Sequence, residues 1–144
     1  MKVRRILATK GMRVITIGPE KQIRDAVKLL ARHNIGALVV VDDDERPVGI
    51  LSERDVIRET AVNEQVFDLQ VADLMTRDVI TGTPQDDTYS LARTMTEHRF
   101  RHLPILEDGR LTGIVSIGDI LKAERDQYRG EIDTLETQIM ATDD

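Results

Sequence analysis

The sequence predicts an α+β protein made of two copies of one β-α-β-β-α unit, followed by a C-terminal helix. Three observations support this fold class. The segment Gly-Ile-Leu-Ser-x-x-Asp at residues 49–55 returns as Gly-Ile-Val-Ser-x-x-Asp at residues 113–119. Short branched aliphatic runs have the pattern of strands, and apolar residues at helical spacing follow them. The similarity extends over most of the chain, which indicates that one structural unit occurs twice.

The repeat keeps a nearly constant offset. Val14, Pro19 and His33 recur 65 residues later (79 − 14) as Val79, Pro84 and His98. Beyond the acidic turn the offset is 64 (113 − 49). Residues 3–7 resemble residues 71–75, which leaves Thr9-Lys10-Gly11 as an insertion in the first copy. We therefore predict one repeat at residues 1–62, a second at 63–126 and a helical tail at 127–144.

The elements of the first copy follow in a clear order. Val14–Ile17 is a β-rich run that ends at a Gly-Pro pair, which suits the start of a helix. The apolar stripe of that helix consists of Ile23, Ala26, Val27 and Leu30. Ala37–Val41 is a continuous branched run, typical of a strand buried on both faces. After a polar turn, Val48–Leu51 is a further strand, and Ser52 begins the next helix.

The second copy repeats these elements. Its predicted members are a strand at Val79–Thr81, a helix with Leu91, Ala92 and Met95 on its inner face, strands at His102–Leu106 and Leu111–Val115, and a helix from Ser116. A sheet this small cannot bury both of its faces alone. We therefore expect the two repeats to pack together about a pseudo-twofold axis.

Composition excludes several classes of function. Aromatic residues make up 3% of the chain, Trp is absent, and the formal charge is −6. Stacking platforms for single strands and basic surface for duplexes are therefore scarce, so we expect no nucleic-acid partner. The absence of cysteine excludes disulfides and thiolate sites and suits a cytoplasmic protein. The most apolar stretch is far too short to cross a bilayer, so we expect no membrane association.

The repeated Ser-x-x-Asp has two interpretations. Ser52 with Asp55, and Ser116 with Asp119, have the spacing of a capping box, which satisfies amides at a helix start. Alternatively, amides and hydroxyl at such a helix start can hold a phosphate while the carboxylate accepts from a ribose diol. The second interpretation is favoured here because the pattern occurs twice in register.

The chain resembles the tandem cystathionine β-synthase (CBS) domain pair, also called the Bateman module, in its free-standing bacterial form. The segments that carry the resemblance are Ile35–Val40 with Val48–Asp55, and Phe100–Ile105 with Thr112–Asp119. Together they cover both repeats, essentially residues 3–123. The resemblance implies a cleft between the repeats with two pseudo-symmetric sites for adenosine nucleotides, with AMP, ATP or NAD(H) as regulatory ligand.

The resemblance also implies the residues of each site. One site would join Ser116, Ile117, Gly118 and Asp119 to Thr16, Ile35, Gly36 and Ala37. The other would join Ser52, Arg54 and Asp55 to Thr81, Phe100, Arg101 and His102. Asp55 and Asp119 would accept from ribose hydroxyls, and Arg101 would bind phosphate. Because Arg54 corresponds to Gly118, and Gly36-Ala37 to Arg101-His102, we expect the Asp55 site to be cationic and the Asp119 site to be roomier.

Other candidate chemistry is weak. His33 and His98 fall at helix ends, where a cationic side chain favours the C-terminal dipole more readily than it catalyses or binds metal. The acidic run Asp42–Glu45 lacks the spaced ligands of a calcium loop and is typical of a solvated turn. No nucleophile–base pair and no P-loop is present. We therefore predict no metal site and no enzymatic activity.

The C-terminal segment carries an apolar stripe. Leu121, Tyr128, Ile132, Leu135 and Ile139 are separated by 7, 4, 3 and 4 residues. Such a stripe requires a partner surface, either the chain's own domain or a second copy, although Gly130 weakens the helix. We expect the stripe to be buried in either case, and we expect a homodimer.

Two functions remain open from the sequence. The first is a regulatory module that senses an adenosine nucleotide and passes the signal to an unidentified target protein. The second is a structural dimerisation module whose nucleotide sites are vestigial. Binding of AMP, ATP or NAD distinguishes them.

Overall fold

The structure, a computed structural model, describes residues 1–11 and 13–142. The first half contains, in order, α1 (Val3–Lys10), β1 (Thr16–Ile17), α2 (Ile23–His33), β2 (Ala37–Val41), β3 (Pro47–Ser52) and α3 (Glu53–Thr60). β1 lies parallel to β2, and β2 pairs antiparallel with β3. The helices and strands predicted here are confirmed, although β1 is shorter than the expected Val14–Ile17.

The second half contains a 3-10 turn (Val66–Asp68), α4 (Val71–Leu74), α5 (Thr88–His98), β4 (His102–Glu107), β5 (Arg110–Ser116) and α6 (Ile117–Thr142). β4 and β5 pair antiparallel. The two halves even share an irregularity, because the register shifts between Val40 and Val41 and again between Ile105 and Leu106. The predicted internal duplication is therefore confirmed, and it includes a bulge at the corresponding position of each half.

The strand predicted at Val79–Thr81 is wrong. This part of the chain meets the sheet only through one parallel bridge between Gly82 and Ile105. Both sides of the segment are turns. The Val79 amide donates to the carbonyl of Arg77 at 2.9 Å, and the Thr83 amide donates to the Asp86 carboxylate at 2.8 Å. The bridge cannot extend into a longer strand in either direction, because the amides of Val79 and Thr83 are used in these local turns.

The segment that precedes the first strand of each half packs in the hydrophobic core of the other half. Val3, Ile6 and Leu7 of α1 pack with the second-half core around Leu103 and Val115. Conversely, the first-half core contains three buried residues from beyond position 62, namely Val66, Val71 and Met75. The division at residues 62 and 126 stays a prediction, because each core draws on residues from both sides of position 62.

The repeated glycines explain how the exchanged helices fit. A Cβ on Gly113 would lie 2.5 Å from Cδ2 of Leu7, and a Cβ on Gly49 would lie 2.5 Å from Sδ of Met75. Leu7 and Met75 occupy corresponding places in α1 and at the end of α4. Each glycine therefore provides the space in which a side chain from the crossing segment packs on the strand.

α6 is one continuous helix of 26 residues that passes through Gly130 without interruption. Its last buried residue is Ile120, and every residue from 124 to 141 is exposed. Between α6 and α1 lies an open cleft of about 1020 Å³, lined on the helix side by polar residues such as Gln127, Glu131 and Thr134.

Docking of the tail onto its own domain is therefore wrong. The stripe residues Leu121, Tyr128, Ile132 and Leu135 are between 41% and 67% exposed. The residues of α6 that line the cleft toward α1 are mostly polar or charged. Leu135 also lines this cleft, but it stays 58% exposed, so its contact with the domain is small. Asp143 and Asp144, the end of the predicted tail, lie outside the described residues.

Candidate functional site

Both Ser-x-x-Asp segments form capping boxes. In α3 the Asp55 amide donates to Oγ of Ser52 at 3.2 Å, and the Ser52 amide donates to Oδ2 of Asp55 at 2.9 Å. In α6 the corresponding distances for Ser116 and Asp119 are 3.0 and 2.9 Å. The predicted capping role is confirmed. Since the box uses only Oδ2, it leaves Oδ1 of each carboxylate available to accept from a ligand hydroxyl.

The start of α3 keeps a free amide. The Glu53 amide donates to the carbonyl of Gly36 at 2.9 Å, and the Ile117 amide donates likewise to Arg101 at 2.9 Å. With the Asp55 amide capped by Ser52, the amide of Arg54 has no acceptor within the described residues. A helix start with an unsatisfied N–H and the positive end of the dipole favours an anion.

A cavity of about 290 Å³ opens at this helix start, between the two halves. Its volume is near the lower end of the roughly 300–1,000 Å³ typical of small-molecule sites. The predicted residues that line it are Ser52, Arg54, Asp55, Phe100, Arg101 and His102. Residues from both halves therefore meet here, as the cross-repeat arrangement of this site requires.

The cavity is lined by basic, acidic and apolar side chains. Arg54 and Arg101 are joined by two further arginines, Arg58 and Arg99. The acidic side chains are Glu53, Asp55 and Asp78, and the apolar side is formed by Ile50, Val79, Ile80 and Phe100. The Phe100 ring also lies 6.1 Å from the ring of His98. Such a cavity can enclose a flat apolar group, bind an anion and accept hydrogen bonds from hydroxyls.

His102 lies close to Gly36 and Glu53 of the first half. A Cβ on Gly36 would be 3.3 Å from Nε2 of His102 and 3.5 Å from Oε1 of Glu53. Burial lowers the pKa of the imidazole below its ordinary value of 6.5, and the charge of Lys10 lowers it further. Asp119 and Glu53 act in the opposite direction without reversing the shift. His102 is therefore neutral at pH 7 in the free protein.

Asp119 is engaged by a lysine from α1. Nζ of Lys10 lies 2.6 Å from Oδ2 of Asp119 and donates to the carbonyl of Ile114 at 2.8 Å. Burial by itself would raise the pKa of this carboxyl, but the hydrogen bonds from Lys10 and Ser116 lower it below 3.8. Asp55 has no ion-pair partner among the described residues. The two sites therefore differ in charge, through a residue outside both repeated segments.

The remaining predicted residues are more scattered. Thr81 is exposed and does not line the cavity, whereas its neighbours Val79 and Ile80 do. Gly36, assigned to the Asp119 site, lines the Asp55 cavity instead. The cleft that contains Asp119 is lined by α1 and α6 and includes none of the other residues expected with it. Of these, Thr16 and Gly118 are exposed, and Ser116 is partly buried. Ile35, Ala37 and Ile117 pack in the interior or against it.

Sequence reasoning missed three cationic residues. Arg58 follows Arg54 by one helical turn, so the helical period could have placed both on one face. Arg99 occupies a left-handed C-cap position with φ of 59°, for which the sequence gives no specific signal. Lys10 belongs to the insertion in the first copy, but its partner lies 109 residues away. Only the packing of α1 against the second half brings the two together.

Two further features are absent from the described residues. No cluster of three or more His, Cys, Asp or Glu side chains is placed to hold a metal ion in residues 1–11 and 13–142. Within the same residues, no helix has the length and apolarity needed to cross a membrane.

Comparison with known proteins identifies the duplicated unit. The family model for the CBS domain matches twice, at residues 3–61 and 71–126. A mitochondrial CBS domain-containing protein, CBSX3 of Arabidopsis thaliana, is 38% identical over 122 residues, which are 81% of this chain and 59% of that protein. The chain thus spans less than two thirds of that relative's length.

Solved structures show the same fold. A CBS-domain containing protein from Agrobacterium tumefaciens is 40% identical, with a TM-score of 0.83 over 86% of this chain and 99% of the other. The CBS domain pair of protein MJ0100, solved with 5-methylthioadenosine and S-adenosyl-L-methionine, is 29% identical, with a TM-score of 0.79 over 88% of this chain and 98% of that one. The duplicated segments, the shared bulge and these matches agree, and the chain belongs to the CBS domain family, with two copies in tandem.

Proposed function

We propose that this CBS pair is a regulatory module that binds an adenosine nucleotide of the AMP, ATP or NAD class in the cavity at α3. The observation that carries the proposal is the convergence, in one cavity, of a free carboxylate oxygen on Asp55, a free amide on Arg54 and arginines from both halves. The related MJ0100 pair holds two ligands that both contain adenosine, which supports the choice of the adenosine class.

Each wall of the cavity has a corresponding part of the nucleotide. Ile50, Val79 and Ile80 provide apolar surface for the adenine ring. Oδ1 of Asp55 accepts from a ribose hydroxyl, since Oδ2 is already used by the Ser52 amide. The phosphate lies at the start of α3, where Arg101 supplies a charge-assisted hydrogen bond.

Binding in this cavity provides a regulatory signal because its walls belong to both halves. An occupant in contact with α3 and with residues 98–102 fixes the distance between the two repeats. A change of that kind can be passed to a second copy or to a target protein. We accordingly propose a homodimer as the functional form, with the exposed face of α6 as its contact.

The Asp119 site is proposed to be the weaker of the two. A nucleotide that uses Asp119 for its ribose must first displace Lys10 from the carboxylate or accommodate the lysine beside it. No such cation blocks Asp55. The cavity at α3 should therefore fill first as nucleotide concentration rises.

Isothermal titration calorimetry of the purified protein tests the proposal, with AMP, ATP, NAD and S-adenosyl-L-methionine as ligands and GMP as the control for the base. Asp55→Ala should weaken binding by about ten- to a hundredfold, because a hydrogen bond to a charged group contributes about 1.5–3 kcal/mol. Asp44→Ala, in an exposed turn, is the control for charge.

Loss of the capping box at Asp55 also affects folding, so each variant is first checked by thermal unfolding. Absence of binding by every adenosine ligand in the folded wild-type protein would refute the nucleotide function and would favour a purely structural dimerisation module. Binding that Asp55→Ala leaves unchanged would refute the assignment of the cavity.

A further inference from the structure

The part of α6 beyond residue 126 lies outside the family match and gains little from its own domain. The CBS model ends at residue 126, and residues 124–141 are exposed on every side of the helix. In proteins, most of the stability of a helix comes from packing of its apolar face and not from helix propensity. This helix also contains Gly130, which disfavours it further. A contact on its apolar stripe is therefore needed to stabilise it.

We propose that this contact is the same helix of a second copy of the chain, paired as an antiparallel coiled coil. The proposal specifies the surface of the homodimer proposed above and is independent of nucleotide binding. It is carried by the spacing of the apolar residues and by the charges that flank them.

The spacing is that of a coiled-coil seam. Tyr128, Ile132 and Leu135 follow each other by 4 and 3 residues, and Ile139 follows by 4. In heptad terms, Ile132 and Ile139 occupy a positions, and Tyr128 and Leu135 occupy d positions. Branched residues at a with Leu at d favour two-stranded association. Gly130 falls at an f position, on the opposite side of the helix, where it does not interfere with the seam.

The charges decide the orientation. In a parallel pair, Arg125 would face its own copy in the seam and Glu131 at g would face Glu136 at e of the partner helix, and these like-charge contacts offset the one attractive contact, Glu124 at g with Arg129 at e. In an antiparallel pair centred between Ile132 and Leu135, Arg129 faces Glu136 of the other copy. Arg125 then lies at the end of the seam, where water reaches its guanidinium.

The antiparallel arrangement also places no like charges opposite each other at the g positions. Glu131 faces Gln138, which is neutral, and the seam layers pair Ile132 with Leu135 and Tyr128 with Ile139. In the described part of the chain neither Arg129 nor Glu136 belongs to a salt bridge, so both are available across the seam. Charge complementarity thus matches the helix to its own reversed copy.

The first experiment measures mass by sedimentation equilibrium over a range of concentrations, for the full chain without added nucleotide. Wild type should be a dimer, and Leu135→Glu should weaken self-association at least tenfold, because it buries a charge in the seam. Met140→Glu is the matched control: Met140 is apolar, 73% exposed and on the same helix, but it lies at a b position off the seam. It should leave the dimer intact.

The second experiment fixes the orientation. Glu136→Arg should weaken the antiparallel dimer by placing two arginines opposite each other, whereas in a parallel pair it would remove a like-charge contact and strengthen the dimer. The chain contains no cysteine. A mixture of Ile132→Cys and Leu135→Cys proteins should therefore form a mixed disulfide, while Ile132→Cys alone should not crosslink efficiently.

Three outcomes would overturn the proposal. A mass of 16.3 kDa at every concentration would exclude self-pairing. A dimer unaffected by Leu135→Glu would show that another surface forms it, leaving the homodimer itself intact. Efficient crosslinking of Ile132→Cys with itself, together with a stronger dimer in Glu136→Arg, would show the parallel pair. Leu135→Glu should still bind nucleotide, because the cavity at α3 does not include α6, so failure here is distinguishable from failure of the nucleotide site.

Discussion

Asp55 and Asp119 each cap a helix with one carboxylate oxygen and leave the other outside the capping box. Oδ2 caps the helix by accepting from the preceding serine amide, and Oδ1 remains available. Because the cap fixes the side-chain rotamer, the free oxygen is held in place before any ligand arrives. The capping and the nucleotide interpretations of Ser-x-x-Asp are therefore compatible, which the sequence pattern did not reveal.

Lys10 provides a prediction about the difference between the sites. Lys10→Met keeps the apolar stem but removes the ion pair with Asp119, whose side chains are 38% and 25% exposed. A partly exposed pair contributes about 0.2–1 kcal/mol. Nucleotide affinity at the Asp119 site should therefore rise by up to about fivefold, measured as a second binding event in calorimetric titrations.

Lys28→Met, an exposed charge on α2, is the control for this variant. It changes the net charge equally and should leave both binding events as in wild type. Weaker nucleotide binding in Lys10→Met would show instead that the lysine contacts the ligand's phosphate.

His102 provides a prediction about pH. Burial, and after it the charge of Lys10, lowers the pKa of His102 in the folded chain, while unfolding returns it to about 6.5. Below that pH the unfolded chain binds a proton that the folded chain does not. The free energy of unfolding should therefore fall as pH decreases from 7 through 6.5 toward the folded pKa, and this fall should be smaller in His102→Gln.

Urea denaturation at several pH values between 7 and 5 measures this effect. The control is His98→Gln, which removes an exposed histidine of the same cavity and keeps His102. Its free energy of unfolding should fall with decreasing pH as much as that of wild type. Asp119 does not interfere, because the stabilisation from its lowered pKa is complete above 3.8 and is lost only at lower pH. Identical slopes for wild type and His102→Gln would contradict the prediction.

At the scale of elements, the exchanged segments α1 and α4 are the main feature that links the two halves. Gly113 leaves room for Leu7, so Gly113→Ala should destabilise the fold by about 1–3 kcal/mol through overpacking. Leu7→Ala alone should cost about 2–5 kcal/mol. In the double variant the new methyl group occupies part of the space that Leu7 vacates, so the combined loss should be smaller than the sum.

A double-mutant cycle in urea measures this coupling. Gly130→Ala serves as the control, since a Cβ there meets nothing within 4 Å and the helix should gain up to about 1 kcal/mol. Strict additivity of the Gly113 and Leu7 effects would show that the two positions are not in contact.

Local pattern was sufficient to predict most elements. The continuous run at β2, the stripe of α2 and the Ser-x-x-Asp helix starts all depend on residues close in sequence, and all are confirmed. The strand at Val79–Thr81 was wrong because β-rich composition does not record the turns that begin at Arg77 and Thr83. For the tail, the spacing predicted a helix and an interface, but only the structure shows that the stripe stays exposed beside its own domain.

The site could be predicted only in part, because some of its contacts depend on how distant segments pack. Most residues of the Asp55 cavity followed from the family resemblance and the repeat register. The Lys10 contact did not, because it depends on α1 crossing to the other half. The expected difference in charge between the sites was therefore incomplete, since it did not include the ion pair of Lys10 with Asp119.

For the whole molecule, exchanged cores predict cooperative unfolding. Neither half retains a complete core without the other, because Val3 and Leu7 belong to one and Val71 and Met75 to the other. Scanning calorimetry should show one transition, with calorimetric and van't Hoff enthalpies in agreement. Val3→Ala and Val71→Ala should each shift that single transition; two separable transitions would contradict the prediction.

The crossing of α1 also constrains how the protein is made. The end of α1 at Lys10 precedes Leu91, a residue of α5 in the same core as Val3 and Leu7, by 81 residues (91 − 10), and Ile120 by 110 (120 − 10). At about 5–20 residues per second, a ribosome needs about 5–20 s to supply the chain that covers α1. Throughout that interval Val3, Ile6 and Leu7 face water on a nascent chain. The core around α1 is thus completed only when Ile120 has emerged, and not at the end of the first repeat.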